Sequence, residues 1–215
     1  FWGDRLQGVS TPRAFNVEQW LPNSACWNVA FRYGLLGPRF SHSTACASGL
    51  IGLLTAARAI RDGQCDIAIA GSGEAIDPLF AAGFTRMRVL ARGTNINEGC
   101  LPFDRRRQGF VMGEGAGMFI VERLQHALAR NAKIYAELVA GKMLADAHHV
   151  TSLDIEDLAL ERLIGDCLKK ADLEPADIAY VNAHGTGTVQ NDLMESRGIR
   201  QAFGPDADRL CVSSL

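Results

Sequence analysis

The chain has 215 residues, 47% apolar and 21% charged, with 22 glycines and 7 prolines scattered without a repeat. Such a composition builds a sizeable core and argues for a globular fold and against disorder. Lys plus Arg total 22 against 24 Asp plus Glu, so a formal net charge of -2 gives no bulk attraction for nucleic acid or an anionic membrane surface.

Over the first forty residues, prolines and aromatics interrupt any period. The clear element there is a short helix over 23–34 closed by Gly34, after which Gly37-Pro38 turns the chain. Residues 39–43 read as a short strand. From Cys46, the apolar positions Cys46, Leu50, Leu53, Leu54 and Ala57 recur at helical spacing and predict a one-sided helix ending near Arg61-Asp62-Gly63. The run 66–71 is continuously apolar, as expected of a strand covered by helices on both faces. A less regular region carrying Phe80 and Phe84 follows, then the turn-rich segment 92–97. The glycine-rich run 109–117 leads into a strand over 118–121, a helix over 123–131 and a strand over 134–140.

A second set begins with a helix over about 155–170. Leu160, Leu163, Ile164, Cys167 and Leu168 lie on one side of it, and Lys169 and Lys170 stand near its C-terminus, where the helix dipole favours cations. A strand over 178–182, a helix over 191–203 and a strand over 210–213 complete it. The pattern is that of a layered α/β protein, and the recurrence of helix, apolar strand and glycine-rich turn suggests an internal duplication.

Two runs carry the chemistry. In Ser43-Thr44-Ala45-Cys46-Ala47-Ser48-Gly49, a cysteine stands at a strand-to-helix turn. Orphan N–H groups at an exposed helix end favour a thiolate by a few tenths to ~1 kcal/mol. The small neighbours Ala45, Ala47, Ser48 and Gly49 leave room for a tetrahedral intermediate whose oxygen takes backbone N–H bonds. A buried core cysteine fits the same local pattern equally well. In Asn182-Ala183-His184-Gly185-Thr186-Gly187-Thr188, a histidine follows a strand and precedes hydroxyls alternating with glycine. It can donate to an oxyanion or accept a proton, or simply sit satisfied in a turn. Asp192 and Glu195 lie about one turn apart at the start of the next helix and either orient a basic group or cap that helix.

Other features point away from alternative chemistries. Gly113-Glu114-Gly115-Ala116-Gly117 leads into a strand and lacks the context of a dinucleotide fingerprint, so tight backbone packing is the expected use of its glycines. Gly71-Ser72-Gly73 is a turn after a strand, with no G-x-S-x-G elbow. His148-His149 with Asp146 has no second histidine cluster, and the six cysteines (Cys26, Cys46, Cys65, Cys100, Cys167, Cys211) have no CxxC spacing, so no metal site is expected. With no signal peptide and no apolar stretch of membrane-spanning length, reduced thiols in a cytoplasmic protein are expected. Arg105-Arg106-Arg107 is either a salt-bridged turn or a docking patch for an acidic partner. Phe1-Trp2-Gly3 lacks an initiator methionine and the chain stops at Leu215 inside a plausible strand, so an internal section of a longer polypeptide is expected.

In chain order, Thr44-Ala45-Cys46-Ala47-Ser48-Gly49, Pro102-Phe103-Asp104, Gly109-Phe110-Val111-Met112-Gly113-Glu114-Gly115-Ala116-Gly117 and Asn182-Ala183-His184-Gly185-Thr186-Gly187-Thr188 resemble the β-ketoacyl-acyl carrier protein synthases. More closely, the chain resembles the elongating type II condensing enzymes and their polyketide relatives, of thiolase-like fold, over most of its length from Gly34 onward. The resemblance implies a layered α/β/α/β/α fold with duplicated halves, incomplete in this chain: 1–141 as the C-terminal part of the first half and 142–215 as the first part of the second. It also implies a homodimer and a decarboxylative Claisen condensation. Substrates would ride on the phosphopantetheine of acyl carrier protein, with no further cofactor.

Residue by residue, Cys46 is similar to the family nucleophile that takes the acyl chain. His184 is similar to the first active-site histidine, which assists malonyl decarboxylation and stabilises the enolate. Thr186 and Thr188 resemble the threonines that hydrogen-bond the pantetheine arm. Asp192 and Glu195 match the motif's acidic pair, with Glu195 helping to orient the family lysine. That lysine and the second histidine belong to a Lys-Ser-x-x-Gly-His motif after a strand like 212–214, and this sequence ends before it. Gln190-Asn191 precede Asp192 where many fatty acid elongating members have a glycine. Fatty acid elongation and a polyketide-type ketosynthase of a specialised pathway both fit. A third reading is a catalytically silent chain-length-determining subunit, although such subunits usually replace the nucleophile, which Cys46 here retains.

Overall fold

The structure, a computed structural model, describes residues 21–92, 99–149, 152–154 and 159–214. The start Phe1-Trp2-Gly3, most of the turn-rich segment at 92–97, the first turn of the helix expected over 155–170, and Leu215 lie outside the described residues. The chain divides into two compact units: the described residues up to Ser72 with Ala116–Tyr135, and those of Gly73–Gly115 with Ala136–Leu215.

In the first unit, α1 (Ser24–Tyr33) forms where the sequence predicts it and closes at Gly34, where φ is 63°. The Leu35 N–H returns to Ala30 O at 2.9 Å, which satisfies a carbonyl the helix end would leave orphaned. Trp27 stacks on Phe31 one turn later, with ring centroids 5.2 Å apart. The strand expected over 39–43 is absent. Those residues are fixed by scattered side-chain bonds instead: Cys26 Sγ to Phe40 O, Ser41 Oγ to Pro22 O, and His42 Nε2 with Thr55 Oγ1. A strand persists only where a neighbour supplies a ladder, and these residues have none among those described.

The helix predicted from Cys46 begins two residues later. Ala45–Ala47 is a 3-10 turn and α2 is Ser48–Arg61, with Ala56 and Ala59 buried and Leu50 exposed. A two-stranded sheet joins β1 (Ile67–Glu74) to β2 (Gly115–Glu122). The strand at 66–71 is therefore present, but its expected burial on both faces is not: Ala70 is buried while Ile67 and Ile69 are over 40% exposed, at 44% and 42%. Tight backbone packing is found at Gly71, where a Cβ would stand 2.0 Å from Gly117 O, whereas Gly113, Gly115 and Gly117 themselves face open space. After β2 comes a helix, Leu124–Ala129 (α4), shorter than the expected 123–131. It is preceded by Glu122, which takes bonds from His126 and from Arg130 at 2.6 and 2.8 Å. The strand expected over 134–140 does not form: these residues have no ladder partner among those described, and Tyr135 is exposed with Lys133 Nζ 4.6 Å above its ring.

In the second unit, the region expected to be irregular around Phe80 and Phe84 forms a helix, α3 (Pro78–Met87). Its signal was present: Asp77 caps it through Oδ1 to the Leu79 N–H at 2.7 Å, and Pro78 occupies the first turn, where no N–H partner is needed. Phe84 of this helix meets Phe110 edge to face at 5.3 Å, beside a parallel bridge between Leu90 and Phe110. Then come α5 (Ala159–Ala171), β3 (Tyr180–Asn182), α6 (Val189–Phe203) and β4 (Cys211–Ser213). β3 and β4 are parallel in the register Tyr180↔Cys211, Val181↔Val212, Asn182↔Ser213. Parallel neighbours require a crossover, which α6 supplies, and α5 packs on α6 with Leu160 against Gly198. The architecture is α/β, with mixed helices and small sheets.

Candidate active site

The second unit places the histidine run in the loop between the carboxyl end of β3 and the start of α6. Open α/β sheets place ligands at such strand ends, because loops and helix N-termini converge there. Two hydrogen bonds tie the loop to the sheet end. The Ala183 N–H donates to Ser213 O at 2.8 Å, and Ser214 Oγ donates to Gly185 O at 3.2 Å.

Asp192 and Glu195 hold the loop from beneath. Glu195 is buried and accepts the His184 N–H through Oε1 at 2.6 Å and the Gly185 N–H through Oε2 at 2.7 Å. Asp192 is 2% exposed and accepts the Gly187 N–H through Oδ1 at 3.1 Å. Its other oxygen takes the Phe103 N–H at 2.7 Å, a partner 89 residues away in sequence, and Arg107 Nε lies 3.5 Å from that oxygen. The two carboxylates thus do more than cap α6, whose N-cap Thr188 makes no side-chain cap bond. They replace the water that would otherwise solvate a bent, buried backbone.

The bend itself requires glycine. Gly185 has φ of 49° and a Cβ there would stand 2.4 Å from Ser214 side-chain atoms; Gly187 has φ of 73° and would meet Gly109 O at 2.7 Å. Gly187 O in turn accepts the Gly109 N–H at 2.9 Å. Thr186 and Thr188 share a hydroxyl–hydroxyl bond of 2.9 Å, and the Thr188 N–H reaches Thr186 Oγ1 at 3.3 Å. His184 is exposed at the top of this framework.

The basic cluster resolves into a turn. Arg106 is held by Asp104 through Nε and Nη2, both at 3.1 Å, and these bonds hold the Asp104 carboxyl down at about 2 from its ordinary 3.8. Arg107 points the other way, donating to Asp104 O, Thr188 O and Val189 O. In the sequence, Arg107 is one charge of three and Phe103 one residue of a motif; in the structure the Phe103 backbone enters the left-handed region at φ 63°. Neither role has a local signal, because each partner lies some eighty residues downstream.

Cys46 stands in the first unit, exposed, in the 3-10 turn just before α2. An exposed thiol departs from the buried-core reading. Its turn is built locally. Ser48 Oγ accepts the Thr44 N–H at 2.9 Å and donates to Ala45 O at 2.8 Å, while Ala45 adopts φ of 48°, a region costly for a residue with a Cβ. All six cysteines are free thiols. Among the described residues, no group of three or more His, Cys, Asp or Glu side chains is placed to hold a metal ion, and no helix is long and apolar enough to cross a membrane.

Comparison with known proteins supplies the family. Residues 6–127 match the β-ketoacyl synthase N-terminal domain and residues 135–215 its C-terminal domain. The chain is 40% identical over 210 residues to the 3-oxoacyl-[acyl-carrier-protein] synthase 2 of Synechocystis sp., covering 97% of this chain and 50% of that protein. It is 39% identical to nodulation protein E of Rhizobium leguminosarum bv. trifolii, covering 97% and 51%. Among solved structures, it matches a type II PKS ketosynthase in complex with its acyl-carrier protein at a TM-score of 0.91 and 36% identity, over 94% of this chain and 50% of that one. A β-ketoacyl synthase from Burkholderia phymatum matches at 0.88 and 32%, over 100% and 52%. The chain therefore spans about half the length of these relatives. With both domain families matched in order and the histidine loop held by its acidic pair, the chain belongs to the β-ketoacyl synthase family.

Proposed function

We propose that this chain carries the acyl-accepting thiol and the decarboxylation histidine of a 3-oxoacyl-[acyl-carrier-protein] synthase. The observation that carries the reading is the histidine loop: His184 is fixed through its own N–H by a buried glutamate at the end of a parallel strand. In the reaction, the Cys46 thiolate attacks an acyl thioester and expels the pantetheine thiol, an exchange between groups of similar pKa. Malonyl thioester then loses CO2, and the electron pair left behind forms an enolate, which His184 stabilises by hydrogen bonding. The enolate carbon attacks the acyl group on Cys46, forming the new C–C bond and releasing the thiolate. Thr186 and Thr188 bind the pantetheine arm, while Asp192 and Glu195 support the loop.

The partners of this reading are acyl carrier protein and a second copy of the same subunit. The fold is the layered, duplicated thiolase-like arrangement, divided near 141, in a cytoplasmic protein that draws on no cofactor beyond the carrier's phosphopantetheine. Fatty acid elongation is favoured by the 3-oxoacyl synthase relatives. A polyketide-type role is favoured by the likeness to a type II PKS ketosynthase. The test is transfer of radiolabelled acyl groups from acyl carrier protein to the full-length protein. Label should appear on the wild type and be lost in Cys46→Ala; equal labelling of both refutes the assignment. Comparing acyl-carrier proteins from fatty acid and polyketide systems as donors separates the two pathways.

A further inference from the structure

We infer that Asn191 is a positioning residue for the histidine loop, a role that rests on the condensing-enzyme reading above. Its side chain is buried, and its Nδ2 donates both to Glu195 Oε2 at 2.8 Å and to Asp192 Oδ1 at 3.2 Å. Both neighbours are carboxylate oxygens, which the amino end of the amide suits and the carbonyl end would repel, so the orientation of the amide is settled by its partners.

The two carboxylates divide the loop between them. Glu195 holds His184 and Gly185, and Asp192 holds Gly187 together with the Phe103 backbone. They lie one helical turn apart on the same face of α6, a placement in which like charges push each other away. The Asn191 amide lies between them with two N–H groups and draws both toward the same point. This links the half of the loop that carries the histidine to the half that carries Thr186 and Thr188. A residue without a side-chain N–H at 191 offers no such donor. Asn191 therefore acts chiefly on His184 through Glu195, at the decarboxylation step, and more weakly, through Asp192 and Gly187, on the threonines proposed to bind the pantetheine arm that both half-reactions share.

The test uses the full-length protein and two half-reactions: label transfer from octanoyl-acyl carrier protein to Cys46, and CO2 release from malonyl-acyl carrier protein. Asn191→Asp keeps the shape and turns the donor into a third acceptor, whereas Asn191→Ala deletes it. The expected result is a fall in CO2 release of about 10-fold or more for Asn191→Asp and a smaller fall, about 3-fold, for Asn191→Ala, with labelling within about 2-fold of wild type in both. A residue that only fills space gives the reverse order, because alanine changes more volume. Equal falls in both half-reactions, wild-type CO2 release in Asn191→Asp, or a larger loss in Asn191→Ala all overturn the inference. Should Asn191→Asp not fold, hydrogen exchange on Asn191→Ala decides. Faster exchange at Gly185 and Gly187 with unchanged exchange in the middle of α6 supports the role, and unchanged loop amides refute it. A wild type that neither takes label nor releases CO2 refutes the condensing reading itself, which is a different failure.

Discussion

The Cys46 turn and the histidine loop are both sharp bends at the start of a helix, yet they are held by opposite means. The cysteine turn is exposed and closed by neighbours within four residues, chiefly Ser48 bridging Thr44 and Ala45. Its strain sits on a residue with a Cβ, Ala45. The histidine loop is seated on buried carboxylates, passes through two left-handed glycines, and depends on Phe103 and Arg107 from a segment more than eighty residues earlier. In the proposed reaction, a group that takes on and releases a bulky acyl chain can sit on a small local bend. A group whose hydrogen bond would meet a developing charge needs a frame that does not move.

The widest contrast comes from the side chains themselves. Cys46→Ala should abolish acyl labelling while leaving the melting temperature within about 1 °C of wild type, because an exposed thiol contributes little packing; a large loss of stability would mean that the turn is structural after all. Asp192→Ala should destabilise by ~3 kcal/mol in denaturant unfolding, since it strands the Phe103 and Gly187 N–H groups and the Arg107 charge without their shared partner. A loss below about 1 kcal/mol would break the claim that the loop is the rigid member of the pair.

Gly185→Ala should cost roughly 2 kcal/mol from its φ and the contact with Ser214, with CO2 release falling before acyl labelling does. Ser48→Ala should cost ~1 kcal/mol and slow labelling with CO2 release unchanged, the mirror image of the glycine variant. The smallest effect is the pH dependence at Asp104. Its carboxyl is held at about 2 against an ordinary 3.8, so its contribution to stability is present above 3.8 and is lost as the pH falls through about 2. Melting curves of wild type and Asp104→Asn should differ slightly at pH 5 and converge at pH 2; a gap that widens toward acid would have the wrong sign.

Local chemistry was legible where it was local. Gly34 ended its helix, the apolar run at 66–71 became β1, and the helices over 159–171 and 189–203 lie close to where periodicity put them. Asp77-Pro78 announces α3 through an N-cap and a first-turn proline, although Phe80 and Phe84 alone give that segment no sustained helical period. The strands expected at 39–43 and 134–140 failed for a different reason: β character is realised through a partner, and no apolar pattern reveals whether one is in reach.

The same division runs through the site. By itself the sequence determined which residue types stand in each bend and, through the ordered motifs, the family to which they belong, because a motif is a property of neighbouring residues. Only the tertiary structure decided that Arg107 turns toward the Thr188 carbonyl while Arg106 pairs with Asp104, that Asp192 and Glu195 each seat part of one loop, and that Asn191 joins them. Those roles arise from burial and from donors far apart in the chain, and the energy of a buried hydrogen bond depends on what surrounds it in space.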